Sequence, residues 1–312
     1  MSFTSVVKNE ISKLEYKEIE MISLLSSIVV NNYHDEQIIK ITTENASVAR
    51  IVFNCFKKLY KTNPKITIRK GYNFNKNLIY ILEITNDVYN VLKDLGIKDH
   101  NSLNFITDDE QLKAAYISGL FLTTGSINDP KTSRYHLEFL VETSDYALFI
   151  KELLNYYHLN SKILKRENKY MIYVKEAEKI GDFLRIVKSI NSLLYYEDIR
   201  IYRDHKNMTN RLNNCEQANV DKIIKTSDQQ LKEIKIIEDA GMLELLDEKI
   251  IELISYRKKY IDASLSELAE IITLETSKYI TKSGLNHRFK KIRDIAAKIL
   301  EKQQLKDKND IL

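Results

Sequence analysis

Ala115-Tyr-Ile-Ser-Gly-Leu-Phe-Leu-Thr-Thr-Gly125 is the stretch from which the fold of this chain is read. Ala115, Gly119 and Thr123 recur every four residues, which puts three small side chains on one face of a helix. An earlier segment, Met21-Ile-Ser-Leu-Leu-Ser-Ser-Ile-Val29, overlays it at a displacement of 96 positions, so that Ile19, Ser23 and Ser27 fall on Ala115, Gly119 and Thr123. Small residues at that spacing let two helices approach backbone to backbone. The alternative is two ordinary amphipathic helices with small residues by chance. A second match, downstream of each segment, weakens that alternative.

Ile39-Lys-Ile-Thr-Thr-Glu-Asn45 matches Leu137-Glu-Phe-Leu-Val-Glu-Thr143 at a displacement of 98. Ile39 and Ile41, and Leu137, Phe139 and Val141, alternate with period two and read as strands. A helical pattern comes after each, Ala46 to Tyr60 and Ser144 to Tyr157. Two β-rich runs come next, Lys65–Arg69 with Leu78–Leu82 in the first copy and Lys162–Leu164 with Tyr170–Val174 in the second. A closing helix ends each copy, near Val88 to Leu95 and Ala177 to Ile190. Strands grouped beside helices, without strict βαβ alternation, predict antiparallel pairing. The expected fold class is α+β, a pseudo-two-fold domain whose antiparallel sheet forms a saddle, followed by an all-α C-terminal domain.

Residues Ile117 to Gly125 resemble the LAGLIDADG signature of homing endonucleases. That resemblance implies a helix pair at a two-fold interface, a sheet saddle that lies in the DNA major groove, and an acid before the closing glycine that holds a divalent metal. Here Thr124 stands at the acid's position and Ile28 at its counterpart, with Val29 in place of the glycine. A hydroxyl is a poor ligand for a hard cation and an isoleucine is none. Asp108, Asp109, Glu110 and Asp129 lie nearby, Asp129 in the turn signal Asn128-Asp-Pro130. The reading is a DNA-binding scaffold without cleavage chemistry, with no catalytic residue, no metal and no cofactor. Outward cations expected on the saddle are Lys65, Arg69 and Lys70, then Lys162, Lys165 and Arg166. Lysines at a solvated sheet edge also guard against aggregation, and both readings stand.

Composition sets bounds around this. With 312 residues the chain holds two domains or one with an appendage, and only seven Gly and two Pro favour long uninterrupted elements. A net charge of +4 permits nucleic-acid binding without requiring it, so the placement of charge decides. The many Lys, Ile, Asn and Tyr reflect base composition. Cys55 and Cys215 have no CxxC partner, and the six histidines show no metal-site spacing; a reduced cytoplasmic protein is expected. Met1 to Lys17 is charged throughout, unlike a signal peptide, and Met21 to Val30 is too short to span a bilayer.

After Tyr195 the chain changes character. Ile201 to Lys225 is polar and asparagine-rich and reads as a connector with helical portions; Ser227 to Lys259 reads as two helices broken at Ala240-Gly241. Ser264-Leu-Ser-Glu267 fits a capping box, and Leu265, Leu268, Ala269 and Ile272 give an apolar stripe. A ten-residue loop, Thr273 to Lys282, leads to a helix expected to be capped by Ser283, with Leu285, Phe289 and Ile292 inward. Asn286, His287, Arg288, Lys290, Lys291 and Arg293 occupy its other face. From Thr276 to Arg293 there are six Lys or Arg and no Asp or Glu. Cations for phosphates, with Asn and Arg able to pair base edges, are what a recognition helix needs; a solvated basic helix is the plain alternative. The long loop points to a variant of the helix-turn-helix. Lys282, Ser283 and the six residues above are the expected DNA contacts in this domain.

The whole order resembles the WhiA family of bacterial regulators. The matching residues are Ser2–Thr4, Thr43–Ala46, Gly125–Pro130, Tyr135–Glu138, Asn210–Cys215 with Ala218-Asn219, Asp262–Leu265 and Lys282–Arg288. Departures lie at Ser26–Val30, which lacks the family's glycine, and in the loop before Lys282. The resemblance implies a sequence-specific transcriptional regulator without nuclease activity, tied to cell division and chromosome segregation. Double-stranded DNA is its implied partner, with transcription or cell-division proteins beside it, and it is placed in the cytoplasm at the nucleoid. The competing readings are a metal-dependent endonuclease using displaced acids, and a repeat domain that senses a ligand or protein while only the C-terminal domain touches DNA. The expected layout is a repeat domain over 1–196, a polar connector over 197–226, a helix-turn-helix domain over 227–302 and a charged tail over 303–312.

Overall fold

A computed structural model describes residues 2–70, 78–97 and 107–309, with side chains to residue 302. The side chains of the charged tail lie outside the described residues. The chain divides into two compact units, Met1–Asp204 and His205–Leu312, each with its own apolar core.

In the first unit a short helix α1 (Phe3–Ile11) precedes two copies of one element order. The first copy runs α2 (Glu18–Val30), β1 (Tyr33–His34), β2 (Ile39–Thr43), α3 (Ala46–Tyr60), β3 (Lys65–Lys70), β4 (Leu78–Ile84) and α4 (Val88–Asp94). The second runs α5 (Glu110–Thr124), β5 (Gly125–Ile127), β6 (Leu137–Val141), α6 (Ser144–Tyr156), β7 (Lys162–Arg166), β8 (Lys169–Val174) and α7 (Ala177–Ile186). The sheets are antiparallel and equivalent, ordered β1-β2-β4-β3 and β5-β6-β8-β7. The expected repeat is therefore present. Three elements are not legible in the sequence. β1 and β5 are too short to show a period of two, and α1 is a nine-residue helix whose apolar residues Phe3, Val7 and Ile11 are buried at spacings of four.

α2 and α5 are buried on every side along most of their length, which marks them as the central elements of the unit. Their close approach is visible at Gly119, where an added Cβ would strike the Leu24 carbonyl oxygen and Ser27 Oγ. Ser23 Oγ donates to the Leu112 carbonyl at 2.7 Å across the pair. Ser27 Oγ donates to Leu24 O at 2.9 Å. A buried hydroxyl is tolerated in an apolar interface only when it is paired in this way. The small-residue register fails at its first step: Ala115 is buried but Ile19 is 47% exposed, because Ile19 sits in the first turn of α2.

α1 ties the copies together. Thr4 Oγ1 donates to Ile127 O at 2.8 Å and accepts from Ile127 N at 3.0 Å, stapling α1 to β5. Glu10 accepts from Ser189 Oγ, Asn191 N, Ser192 N and Ser192 Oγ, all within 3.0 Å, at the start of helix α8 (Ile190–Asp239). Partial burial acts to raise the Glu10 pKa, but these hydrogen bonds to the charged form outweigh it and the net shift is downward from 4.5. A carboxylate with a depressed folded pKa stabilises above its unfolded value and loses that contribution as pH falls through the folded one. Glu10→Gln is therefore expected to cost about 1 kcal/mol at pH 7, the scale of a screened helix-terminus contact. Thermal melts should show the two proteins converging below pH 4.5; equal melting temperatures at pH 7 would remove this role.

The second unit consists of the rest of α8, a 3-10 turn at Leu243–Leu245, α9 (Glu248–Lys259), α10 (Leu265–Thr276) and α11 (Lys282–Asn309). The asparagine-rich stretch is helical throughout, inside the 50-residue α8, and the division between the units falls within that helix after Asp204. The break expected at Ala240-Gly241 is present, with Gly241 at φ +67°. α11 continues to Asn309, into the stretch read as a tail.

Candidate nucleic-acid interface

The C-terminal ends of α2 and α5 are where the acids of a metal centre would converge. Ile28 and Val29 are fully buried there. Thr124 Oγ1 turns back to Leu120 O at 3.1 Å, and Gly125 is required because a Cβ would meet Phe121. Two of the neighbouring acids are engaged in structure. Asp109 caps α5 through Leu112 N at 2.8 Å, and Asp129 holds its turn through Lys131 N at 2.8 Å. Asp108 to Glu110 also sit at the opposite end of α5, about 20 Å along the helix from Thr124 at 1.5 Å per residue. Among the described residues no three His, Cys, Asp or Glu side chains gather into a metal-holding group. Beside Thr123 lies a cavity of about 740 Å³ lined by Thr4, Lys8, Thr42, Glu44 and Asn45 among others. Its cation, Lys8, is held down at a pKa of about 8 by burial and packs 5.7 Å from the Phe121 ring.

Strand pairing sorts the saddle cations. Partners facing each other across an antiparallel ladder share a face. Lys65 and Arg69 lie with Lys40, Thr42, Thr67 and Glu83 on the face away from the buried Ile39, Ile41 and Leu82. Lys162 and Arg166 lie with Glu138, Met171 and Tyr173 on the corresponding face of the second sheet. Lys70 and Lys165 have the other parity and belong to the helix side of their sheets, so these two depart from the expected saddle set. All six cations are exposed and all stand on the edge strands β3 and β7. The helix-facing Ile66 and Ile68 of β3 are 46% and 58% exposed, which makes charged neighbours on that edge useful against strand addition.

The C-terminal helices form more tightly than their sequence implied. Ser264 and Glu267 make the capping box, with Ser264 N to Glu267 Oε2 at 2.7 Å and Glu267 N to Ser264 Oγ at 3.2 Å. α10 runs on to Thr276, so the connection to α11 is the five residues 277–281 rather than ten. Ser277 takes the left-handed conformation at φ 56°, and Thr273 Oγ1 accepts from Ile280 N at 3.2 Å. The cap of α11 is Thr281, which accepts from Gly284 N at 3.1 Å. Ser283 is instead an exposed residue of the first turn. Threonines were invisible as loop shorteners because their role depends on backbone groups four to seven positions away.

Leu285, Phe289, Ile292, Ala296 and Ile299 bury the inner stripe of α11. Lys282, Ser283, Asn286, His287, Lys290 and Lys291 are exposed. Two expected contacts are already engaged elsewhere. Arg293 pairs through Nε with the buried Glu233 at 3.1 Å, and the half-buried Arg288 donates to Lys249 O at 3.4 Å. Asp294 follows on the exposed side, which confines the acid-free surface to the first half of the helix.

Arg257 carries no local signal that would single it out in the sequence. Its side chain is fully buried without a carboxylate partner among the described residues, and donates to Ala263 O at 2.7 Å, Tyr260 O at 3.3 Å and Ile261 O at 3.4 Å. Its guanidinium lies 5.6 Å from the Phe289 ring, and burial lowers its pKa. It clamps the turn into α10 against the helix expected to read DNA. Arg257→Ala removes a donor from three carbonyls, of which Ile261 O keeps Ser227 Oγ at 2.6 Å and Tyr260 O keeps Ala263 N at 3.4 Å, and is expected to cost about 2 kcal/mol. Lysine should restore only part of this, since its compact ammonium cannot reproduce the planar guanidinium over the Phe289 ring. A urea midpoint unchanged by the alanine substitution would refute the clamp.

Three family models match successive parts of the chain. The family model of the WhiA N-terminal LAGLIDADG-like domain matches residues 21–98, that of the WhiA LAGLIDADG-like domain matches 113–206, and that of the WhiA C-terminal HTH domain matches 209–296. The chain is 39% identical over 312 residues to the probable cell division protein WhiA of Enterococcus faecalis, covering 97% of this chain and 99% of that one. It is 36% identical over 317 residues to its namesake from Brevibacillus brevis, covering 98% and 99%. The crystal structure of full-length DUF199/WhiA from Thermatoga maritima shares the fold at a TM-score of 0.58 and 23% identity, covering 96% of this chain and 99% of that one. No helix among the described residues is long and apolar enough to cross a membrane. Twin LAGLIDADG-like repeats without the acid before the closing glycine, a capped helix-turn-helix and full-length identity well above 30% lead to one assignment: this chain belongs to the WhiA family.

Proposed function

We propose that this protein is a sequence-specific, double-stranded-DNA-binding transcriptional regulator of cell division and chromosome segregation, working at the nucleoid. The observation that carries the reading is the capped α10–turn–α11 pair, whose outer helix exposes Lys282, Asn286, His287, Lys290 and Lys291 with no acid before Asp294. Cations at the start of that helix neutralise phosphates, and Asn286 supplies an amide able to pair with adenine. Lys65, Arg69, Lys162 and Arg166 on the open sheet faces add sequence-independent affinity. The relatives named as probable cell division proteins support the cellular role.

The helix pair is kept as a scaffold and performs no cleavage in this reading. Thr124 and Ile28 replace the metal-holding acids, Asp109 and Asp129 cap a helix and hold a turn, and Asp108 lies at the far end of α5 from Thr124. Genome-wide mapping of bound DNA, followed by binding to the recovered duplexes, tests the regulatory claim; the absence of any enriched site would overturn it. Incubating supercoiled plasmid with the protein and magnesium or manganese tests the chemistry, and reproducible metal-dependent nicking would establish the endonuclease alternative.

A further inference from the structure

The asparagine-rich part of α8 is exposed without interruption from Asp204 to Lys222. Between His205 and Cys215 it carries Lys206, Arg211 and four asparagines, Asn207, Asn210, Asn213 and Asn214, and no acid. None of these six side chains has a hydrogen-bond or ion-pair partner among the described residues. Asparagine ranks well below alanine, lysine or glutamate as a helix former, and here no tertiary contact repays the choice. Helical geometry separates the segment into two faces. Asn207, Asn210 and Asn214, with Lys206 and Gln217 beside them and Arg211 on the flank, lie together, while Ile201, Met208, Leu212 and Cys215 lie opposite.

We propose that the Asn207–Asn214 face of α8 is a second DNA-reading surface, docking in a groove of duplex DNA with its amides on adenine edges and its cations on phosphates or guanine. This rests on the DNA-binding reading above and deepens it. An amide can pair bidentately with adenine, an arginine with guanine, and the major groove admits a helix. From Asn207 to Asn214 the helix rises about 10 Å at 1.5 Å per residue, the height of about three base pairs. The acid-free charge of the segment complements the phosphate backbone. The face contributes base discrimination at a place apart from the turn-and-helix element, so the site read by the full chain is longer than α11 alone requires.

The test uses the full-length chain and a duplex of about 40 base pairs that the wild-type protein selects from a randomised pool. The variant combines Asn210→Ala, Arg211→Ala and Asn214→Ala. Each substitution keeps or raises helix propensity, so circular dichroism should be unchanged. Affinity for the selected duplex is expected to fall at least about tenfold, with relaxed preference at two or three adjacent positions of the site. Affinity and preference equal to wild type would overturn the proposal while leaving the regulator reading intact. A wild-type protein that selects no sequence would overturn both. The pair Met208→Ala and Leu212→Ala, on the opposite face, is expected to leave affinity unchanged. If that pair instead lowers both affinity and oligomeric mass while the triple variant binds normally, the exposed helix docks on a second copy of the chain and the proposal fails.

Discussion

Gly119→Val is expected to collapse the first unit's stability, with a loss above about 3 kcal/mol. The first added carbon would strike the Leu24 carbonyl oxygen and Ser27 Oγ. A rotamer change can move the hydroxyl, but the carbonyl belongs to the backbone of α2, so relief requires the two central helices to separate. Both are buried along most of their length, and separation would open the core around Leu24, Ile28, Ile117 and Leu120. For a unit of this size each kcal/mol lowers the melting temperature by about 2–4 °C, so a drop of roughly 10 °C or an unfolded first unit should appear in calorimetry. The alanine variant meets the same first contact and should fall short of valine only by the lost branching. A melting temperature within error of wild type for Gly119→Val would show that the helices do not meet at Gly119.

The largest functional effect is expected from Lys290→Ala combined with Lys291→Ala. Both lysines are exposed, lie in the acid-free part of α11 and carry no internal role that their loss would disturb. Each phosphate contact contributes about 0.9 to the slope of log affinity against log salt, so the double variant should flatten that slope by about 2. Affinity at physiological salt should drop roughly tenfold to a hundredfold for cognate and random duplexes alike. Arg293→Ala provides the contrast. It strips the cation from the buried Glu233, leaving it the Gln229 amide, and should lower the stability of the second unit without changing the salt slope. If the double lysine variant keeps the wild-type slope, the outer face of α11 does not touch DNA.

The two effects show which features travel through local sequence. The repeat was legible because its elements are encoded by neighbours: period-two runs at Ile39–Ile41 and Leu137–Val141 became β2 and β6, and the helical patterns became α3 and α6 nearly to the residue. The capping box at Ser264 and Glu267 was legible for the same reason, since its partners are three positions apart. β1 and β5, of two and three residues, have no period to read. The connection before α11 looked twice its length because the last turn of α10, Thr273–Thr276, is rich in β-branched residues. That turn is held by Thr276 Oγ1 on Ile272 O at 2.7 Å and by Thr273 Oγ1, which serves both Ala269 O and Ile280 N.

By itself the sequence determined the doubled element order, the small-residue contact between the two central helices, the missing acid at Thr124 and the acid-free run before Asp294. Each is a matter of residue identity or of spacing within one or two helical turns. Only the tertiary structure decided which cations are free. Strand register set Lys65 and Arg69 on the open face and Lys70 on the other, and likewise Lys162 against Lys165. Glu233, 60 positions away in the chain, claimed Arg293. A charge counted along a sequence is available to a partner only if no buried group of opposite sign reaches it first, and that depends on distance in space, which the spacing of residues along the chain does not record.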